Sequence, residues 1–373
     1  MAGIYFHIPF CRQACLYCDF HFTTKLSKMD ELVNALKAEL RLRNDYLGNE
    51  KVQTVYFGGG TPSLLSVKHL SSLLEEIHQL FPTQLLETTL EANPDDLSAE
   101  KLQDWKSLGI DRLSLGIQSF QSEILKFYNR SHSADQAKNA IEISRKAGFD
   151  KFSFDLIYGF PHPDHTLWKK DLRIALEQDP GHLSAYSLTV EPKTALGNWT
   201  QKGKFQPADE DFVAEQFEWL QEQTEKAGYE QYEISNFGKP GHWALHNTNY
   251  WKGIPYLGIG PSAHSFDGKK RAYNPASNPN YLKAMESGKN CLIEEIESTE
   301  DRANERILTA LRTSWGLNID TFYQEFGINL SDLKSKEIQK LAEAGWLLRE
   351  KNHLSLTKSG KLLADSIAAE LFI

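Results

Sequence analysis

Short apolar stretches rich in β-forming residues alternate along this chain with longer stretches in which apolar residues recur at helical spacing. The short stretches predict strands at Gly3–Ile8, Val52–Phe57, Thr88–Ala92, Arg112–Ile117, Phe152–Ile157 and His182–Leu188. The periodic segments between them predict helices at Met29–Tyr46, Val67–Leu80, Ala99–Leu108, Ala134–Ala147 and Thr166–Leu176. Strand followed by helix, repeated along the chain, is the pattern of βα units wound about a parallel sheet. The fold class expected is therefore α/β, a partial (β/α)6 barrel.

The pattern loosens twice, from Pro192 to Pro207 and from Phe237 to Pro279, where Gly and Pro punctuate the sequence; both stretches are expected to be loops over the barrel mouth. Beyond Thr299, helical spacing returns at Glu300–Ser314, Ile319–Phe326 and Ser331–Ala344. Trp346–Arg349 and His353–Leu356 then read as a hairpin, which completes a small C-terminal α+β domain resembling a winged helix. The expected division is a barrel over 1–235, a connecting region over 236–298 and the winged-helix-like domain over 299–373.

Composition narrows the partners. With 40% hydrophobic and 24% charged residues, the chain has the make-up of a soluble globular protein. Its net charge of -9 argues against a broad phosphate-binding surface. The winged-helix-like segment carries 10 Lys and Arg against 11 Asp and Glu, so it lacks the positive field of a DNA reader. Nucleic acid is not an expected partner. No apolar run approaches the ~20 residues of a membrane span, and the amino terminus has no signal-peptide layout. A cytoplasmic location is expected, and a homodimer and peripheral membrane contact both remain compatible with the sequence.

The chemistry begins with the cysteines. Three of the four fall within eight residues, Cys11-Arg-Gln-Ala-Cys15-Leu-Tyr-Cys18, directly after the first strand, while Cys291 stands apart as an incidental thiol. Three thiolates in one short loop suit a cubane iron–sulfur cluster whose fourth iron is left to an outside ligand. Zinc is the alternative; it needs a fourth ligand, which His7 or His21 would have to supply. Further polar residues stand where the predicted strands end: Gly58–Ser63, Glu91, Gln118 and Asp155. That edge is where parallel sheets and barrels bind ligands.

These residues resemble the motifs of the radical S-adenosylmethionine superfamily, in its coproporphyrinogen dehydrogenase-like branch. The resemblance rests on Tyr5-Phe-His-Ile-Pro-Phe-Cys11, Gly58-Gly-Gly-Thr-Pro-Ser63, Glu91-Ala-Asn-Pro94, Gly116-Ile-Gln-Ser-Phe120, Asn129-Arg130 and Asp155-Leu-Ile-Tyr-Gly-Phe-Pro161, in that order along the chain. It implies a radical S-adenosylmethionine barrel with a 4Fe-4S cluster on Cys11, Cys15 and Cys18. It also implies S-adenosylmethionine, whose amino acid end chelates the open iron in the family. The implied cofactor contacts are Tyr5, Tyr17 beside the adenine, Gly59, Gly60 and Thr61 near the methionine portion, and Glu91, Gln118, Arg130 and Asp155 at the ribose and carboxylate. The run Gly258-Ile-Gly-Pro-Ser-Ala-His264 resembles a family stretch bordering the adenosyl site.

Two departures separate the chain from the dehydrogenase. That enzyme carries a fourth cysteine two residues past the third, where this chain has Phe20, and it has a longer amino-terminal extension. Both features, together with His246-Asn-Thr-Asn-Tyr-Trp251, are similar to the HemW-type haem chaperones. That resemblance implies haem as cargo, acceptor haemoproteins as partners and His246 as a haem ligand, since imidazole is a usual axial ligand. The alternative is oxygen-independent oxidative decarboxylation of coproporphyrinogen III. No catalytic residue is assigned.

Overall fold

The computed structural model describes residues 1–373. Its contacts divide the chain into two units, one of Met1–Val213 with Ala244–Glu295 and one of Ala214–Trp243 with Ile296–Ile373.

In the first unit, strands β1 (Ala2–Ile8), β2 (Val52–Gly59), β3 (Thr83–Ala92), β4 (Arg112–Gln118), β5 (Lys151–Tyr158) and β6 (His182–Ser187) lie parallel and side by side in chain order. Alternation along each strand sorts the side chains between two faces. Ile4, Phe6 and Ile8 of β1 and Val55 and Phe57 of β2 are buried on the outer face, where Phe6 and Phe57 stack at 4.9 Å. The helices Met29–Leu42 and Val67–Leu80 contribute Leu32, Leu36 and Leu40, and Leu70, Leu73 and Ile77, to the same buried set. Each fully buried Leu, Ile or Phe contributes about 1.5–3 kcal/mol, so this layer supplies much of the driving force for the sheet. The inner face is polar: Gly3, Tyr5 and His7 stand in register with Thr54, Tyr56 and Gly58, followed across the sheet by Glu87 and Glu91, Ser114, Asp155 and Ser184.

The row of strands extends past β1 rather than closing. Tyr256–Ile259 runs parallel to β1, and His264–Phe266, Arg271–Tyr273 and Ile293–Glu294 follow antiparallel. The barrel is thus partial, with helix Leu245–Trp251 in the same unit. The stretch 237–279 is therefore not a loop over the mouth, and 244–295 is not a separate connecting region but a continuation of the sheet. Its strands are only two to four residues long, too short for the alternation to register in sequence. The stretch 192–207 likewise contains a helix, Ala195–Gln201, started by Thr194, whose hydroxyl accepts from the Gly197 amide at 3.0 Å.

The second unit packs helices Thr299–Leu311, Ile319–Phe326, Leu330–Leu333, Ser335–Glu343 and Ala364–Glu370 with an antiparallel sheet of Leu317–Asn318, His353–Leu356 and Leu347–Glu350. Its own core includes Ile307, Leu311, Phe322, Ile338, Leu341 and Leu354. The helix expected over 331–344 is broken at Lys334, which leaves helical geometry at φ -113°, ψ 28°. The 214–243 stretch joins this unit, so the boundary falls earlier than 235. No helix is long and apolar enough to cross a membrane.

Candidate functional site

The cysteine loop leaves β1 at the C-terminal edge of the sheet and is fixed from several sides. The Cys11 amide donates to Thr23 O at 3.0 Å, the Leu16 amide to Tyr128 O at 3.2 Å, and the Leu196 amide to Leu16 O at 2.9 Å. Asn129, in left-handed geometry at φ 57°, donates from Nδ2 to Ala14 O at 2.7 Å and accepts from Gln13 Nε2 at 2.7 Å. All three cysteines are unpaired thiols and partly exposed. Burial pushes Cys11 up, and burial pushes Cys18 up to about 11.

The next turn of the site is Gly58–Thr61. Gly59 has φ +106°, and a Cβ there would lie 2.8 Å from the His7 ring. At Gly60 a Cβ would lie 2.7 Å from Phe10 O and 3.0 Å from Cys11 Sγ. Both positions admit only glycine, and the backbone lies against the cysteine loop as a result. Thr61 Oγ1 donates to Cys11 Sγ at 3.5 Å. The His7 ring is itself held between Tyr5 Oη, 3.1 Å from Nδ1, and His21 O, 2.8 Å from Nε2. Burial lowers His7 to about 4, which keeps it neutral.

Glu91 and Asp155 occupy the inner face. Glu91 accepts from Tyr56 Oη at 2.8 Å and from the Gly59 amide at 3.2 Å. Asp155 accepts from Ser114 Oγ at 3.1 Å. Burial raises Glu91 to about 8, aided by the neighbouring Asp155, and burial raises Asp155 to about 6. Arg130 binds the parts together: Nη2 donates to Asn93 Oδ1 at 2.6 Å and to Gly116 O at 2.7 Å, while Nη1 lies 3.4 Å from Cys15 Sγ and 3.5 Å from Tyr17 Oη. Its buried Nε has no partner. Gln118 ends β4 in left-handed geometry at φ 64°, after a register shift between Leu115 and Gln118. The Gly258–His264 stretch reaches the same edge, where Gly260 packs against His7 O.

The expected residues Tyr5, Cys11, Cys15, Cys18, Tyr17, Gly59, Gly60, Thr61, Glu91, Gln118, Arg130 and Asp155 thus lie along one edge and the adjoining inner face. The three thiols share a loop but are not gathered into a closed metal-ligand set. Three free thiols with a glycine backbone against Cys11 fit an iron–sulfur cluster with one open corner. The two buried carboxylates and the unpartnered Arg130 Nε fit a ligand that brings hydroxyl, amino and carboxylate groups. Sequence reasoning did not single out Asn93 and Tyr56, the residues that tie Arg130 and Glu91 in place. Asn93 was within reach, since it stands inside the Glu91–Pro94 motif.

His246 is elsewhere. It lies on helix Leu245–Trp251, with Nδ1 2.8 Å from Thr54 Oγ1 and its ring 5.2 Å from that of Tyr56. Thr54 and Gly3, both beside the imidazole, stand near the N-terminal ends of β2 and β1. His246 is therefore at the barrel floor, not in a loop over the mouth, about 20 Å along the strands from the cysteine loop. Burial lowers it to about 4. Tyr56 links the two regions, with its ring on His246 and its hydroxyl on Glu91.

Fold and site together define a radical S-adenosylmethionine protein. Residues 5–170 match the model of the Radical SAM superfamily, and residues 298–363 match that of the HemN C-terminal domain. The chain is 35% identical over 371 residues to the heme chaperone HemW of Bacillus subtilis (strain 168), covering 98% of each chain. It is 33% identical over 381 residues to the heme chaperone HemW of Escherichia coli (strain K12), covering 100% of this chain and 98% of that one. The solved coproporphyrinogen III oxidase (HemN) of Escherichia coli superimposes with a TM-score of 0.85 over 100% of this chain and 90% of that one, at 23% identity, a likeness of fold. The chain belongs to the HemW family of the radical SAM superfamily.

Proposed function

We propose that this protein is a haem chaperone that binds haem and passes it to acceptor haemoproteins. Cys11, Cys15 and Cys18 hold a 4Fe-4S cluster at the barrel mouth. Tyr5, Tyr17, Gly59, Gly60, Thr61, Glu91, Gln118, Arg130 and Asp155 hold S-adenosylmethionine beside it. When bound, that pair supplies one-electron chemistry. The chain's own residues position it: Gly59 and Gly60 let the backbone approach, Glu91 and Asp155 accept hydroxyl or amino protons, and Arg130 balances the thiolate and carboxylate charge. A cytoplasmic location fits the cluster of reduced thiols.

The observation that carries the haem reading is His246. Its ring is oriented through Nδ1, burial keeps it neutral, and Nε2 makes no hydrogen bond. A neutral imidazole held through one nitrogen and open at the other is the state in which histidine ligates a metal. Phe20, 70% exposed, occupies the place of the dehydrogenase's fourth cysteine and supports the carrier over the decarboxylase.

The test is a haem titration of the full chain in which Cys11, Cys15 and Cys18 are all replaced by Ala. Because floor and mouth are separate, the Soret band should appear as in the wild type, and His246→Ala should shift or abolish it. Loss of haem binding with the cysteines, and an unchanged spectrum in His246→Ala, would place the ligand at the mouth and defeat this reading.

A further inference from the structure

The His246 imidazole is held by three groups in the barrel floor that belong to none of the chain's recognisable motifs. Thr54 is fully buried, and its hydroxyl is 2.8 Å from Nδ1. Glu87, also buried, accepts from the Leu245 amide at 3.0 Å and the His246 amide at 2.9 Å, the first turn of the short helix that carries the histidine. Arg112, buried beside it, donates from Nε to Glu87 at 2.9 Å. Gly3 leaves the space: a Cβ there would fall 2.8 Å from Thr54 Oγ1 and 3.1 Å from His246 Cε1.

A buried Glu–Arg pair is costly to desolvate, and replacing such a pair with apolar residues often stabilises a protein. Here the pair has a second task, because the Glu87 carboxylate satisfies two amides at the start of a helix that has no side-chain N-cap of its own. Thr54 acts on the ring itself. If Nε2 is to offer its lone pair to iron, the imidazole proton must sit on Nδ1, and the only group bonded to Nδ1 is the Thr54 hydroxyl oxygen, which must then accept. A hydrogen bond from Nδ1 to a fixed acceptor selects the tautomer, fixes the ring plane and makes Nε2 the better ligand.

We propose that Thr54 and the Glu87–Arg112 pair are positioning residues for haem iron at His246: Thr54 sets the tautomer and ligand strength, and the pair fixes the helix that presents the ring. This rests on the reading of His246 as the haem ligand. Val matches Thr in shape but cannot accept, so Thr54→Val should leave Nδ1–H buried without a partner and favour the wrong tautomer.

The test uses the full chain and hemin. Thr54→Val should shift the Soret band and weaken hemin binding by about tenfold or more, the usual loss when such an outer partner is removed. Thr54→Ser, which keeps the hydroxyl, should restore both. Glu87→Gln should weaken hemin binding while circular dichroism shows the fold retained. If Thr54→Val and Glu87→Gln bind hemin with unaltered spectrum and affinity while His246→Ala loses it, the positioning role is overturned and the ligand assignment stands. If His246→Ala also keeps the wild-type spectrum, or the wild type binds no hemin, the ligand reading fails and this inference with it.

Discussion

Glu91 shows how a single residue can work against stability and for binding. Its carboxyl is raised from 4.5 to about 8, chiefly by burial, so between those values the native protein holds a proton that the unfolded chain has lost. The stability contributed by the protonated form is complete below the unfolded value and is lost as pH rises through about 8, at up to about 1.4 kcal/mol per pH unit. Glu91→Gln should flatten that slope, leaving the variant more stable than the wild type at pH 8 in urea melts run at several pH values. The same change should weaken S-adenosylmethionine binding, because the amide sets an NH2 group, which only donates, against either the Tyr56 hydroxyl or the Gly59 amide that the carboxyl oxygens now hold in place. A variant with the wild-type slope would show that burial does not set this carboxyl's proton affinity.

The cysteine loop belongs to the scale of elements. The Asn129 side chain ties Gln13 and Ala14 with one hydrogen bond each while its backbone is left-handed, so Asn129→Ala removes the Ala14 anchor and the residue type best suited to that backbone, and leaves Gln13 only its 3.1 Å bond to the main-chain carbonyl at 129. Anaerobically reconstituted wild-type protein should contain about four irons per chain. Asn129→Ala should contain clearly fewer, by iron and sulfide assay, with the second unit still folded. Full occupancy in the variant would show that the loop is ordered without that clasp.

Elements were legible in the sequence in proportion to their length and their start signals. Val67–Leu80 emerged with both ends in place because Ser66 caps it, accepting from the His69 amide at 3.2 Å. The six parallel strands were found as well, from the apolar residues of their outer face, though the third was read from Thr88 and begins at Thr83. Tyr256–Ile259 was missed because four residues beside Gly and Pro carry no countable period. The motifs brought the mouth residues into view, yet they could not reveal that His246 sits at the opposite end. That placement depends on Thr54 and Glu87, long-range partners with no local spacing to betray them.

For the whole molecule, the two ends of one barrel have different chemistry: thiols, glycine backbone and carboxylates at the mouth, and an oriented neutral imidazole at the floor. The proposed carrier would use that imidazole as its haem ligand, whereas the decarboxylase reading gives it no role. The most direct measurement is to incubate the anaerobically reconstituted chain, with S-adenosylmethionine and reductant, in parallel with haem and with coproporphyrinogen III, following Soret absorption and product mass. A carrier gives a stoichiometric Soret band and returns coproporphyrinogen III unchanged in mass. Loss of carboxyl groups from coproporphyrinogen III, with no haem bound, would contradict it.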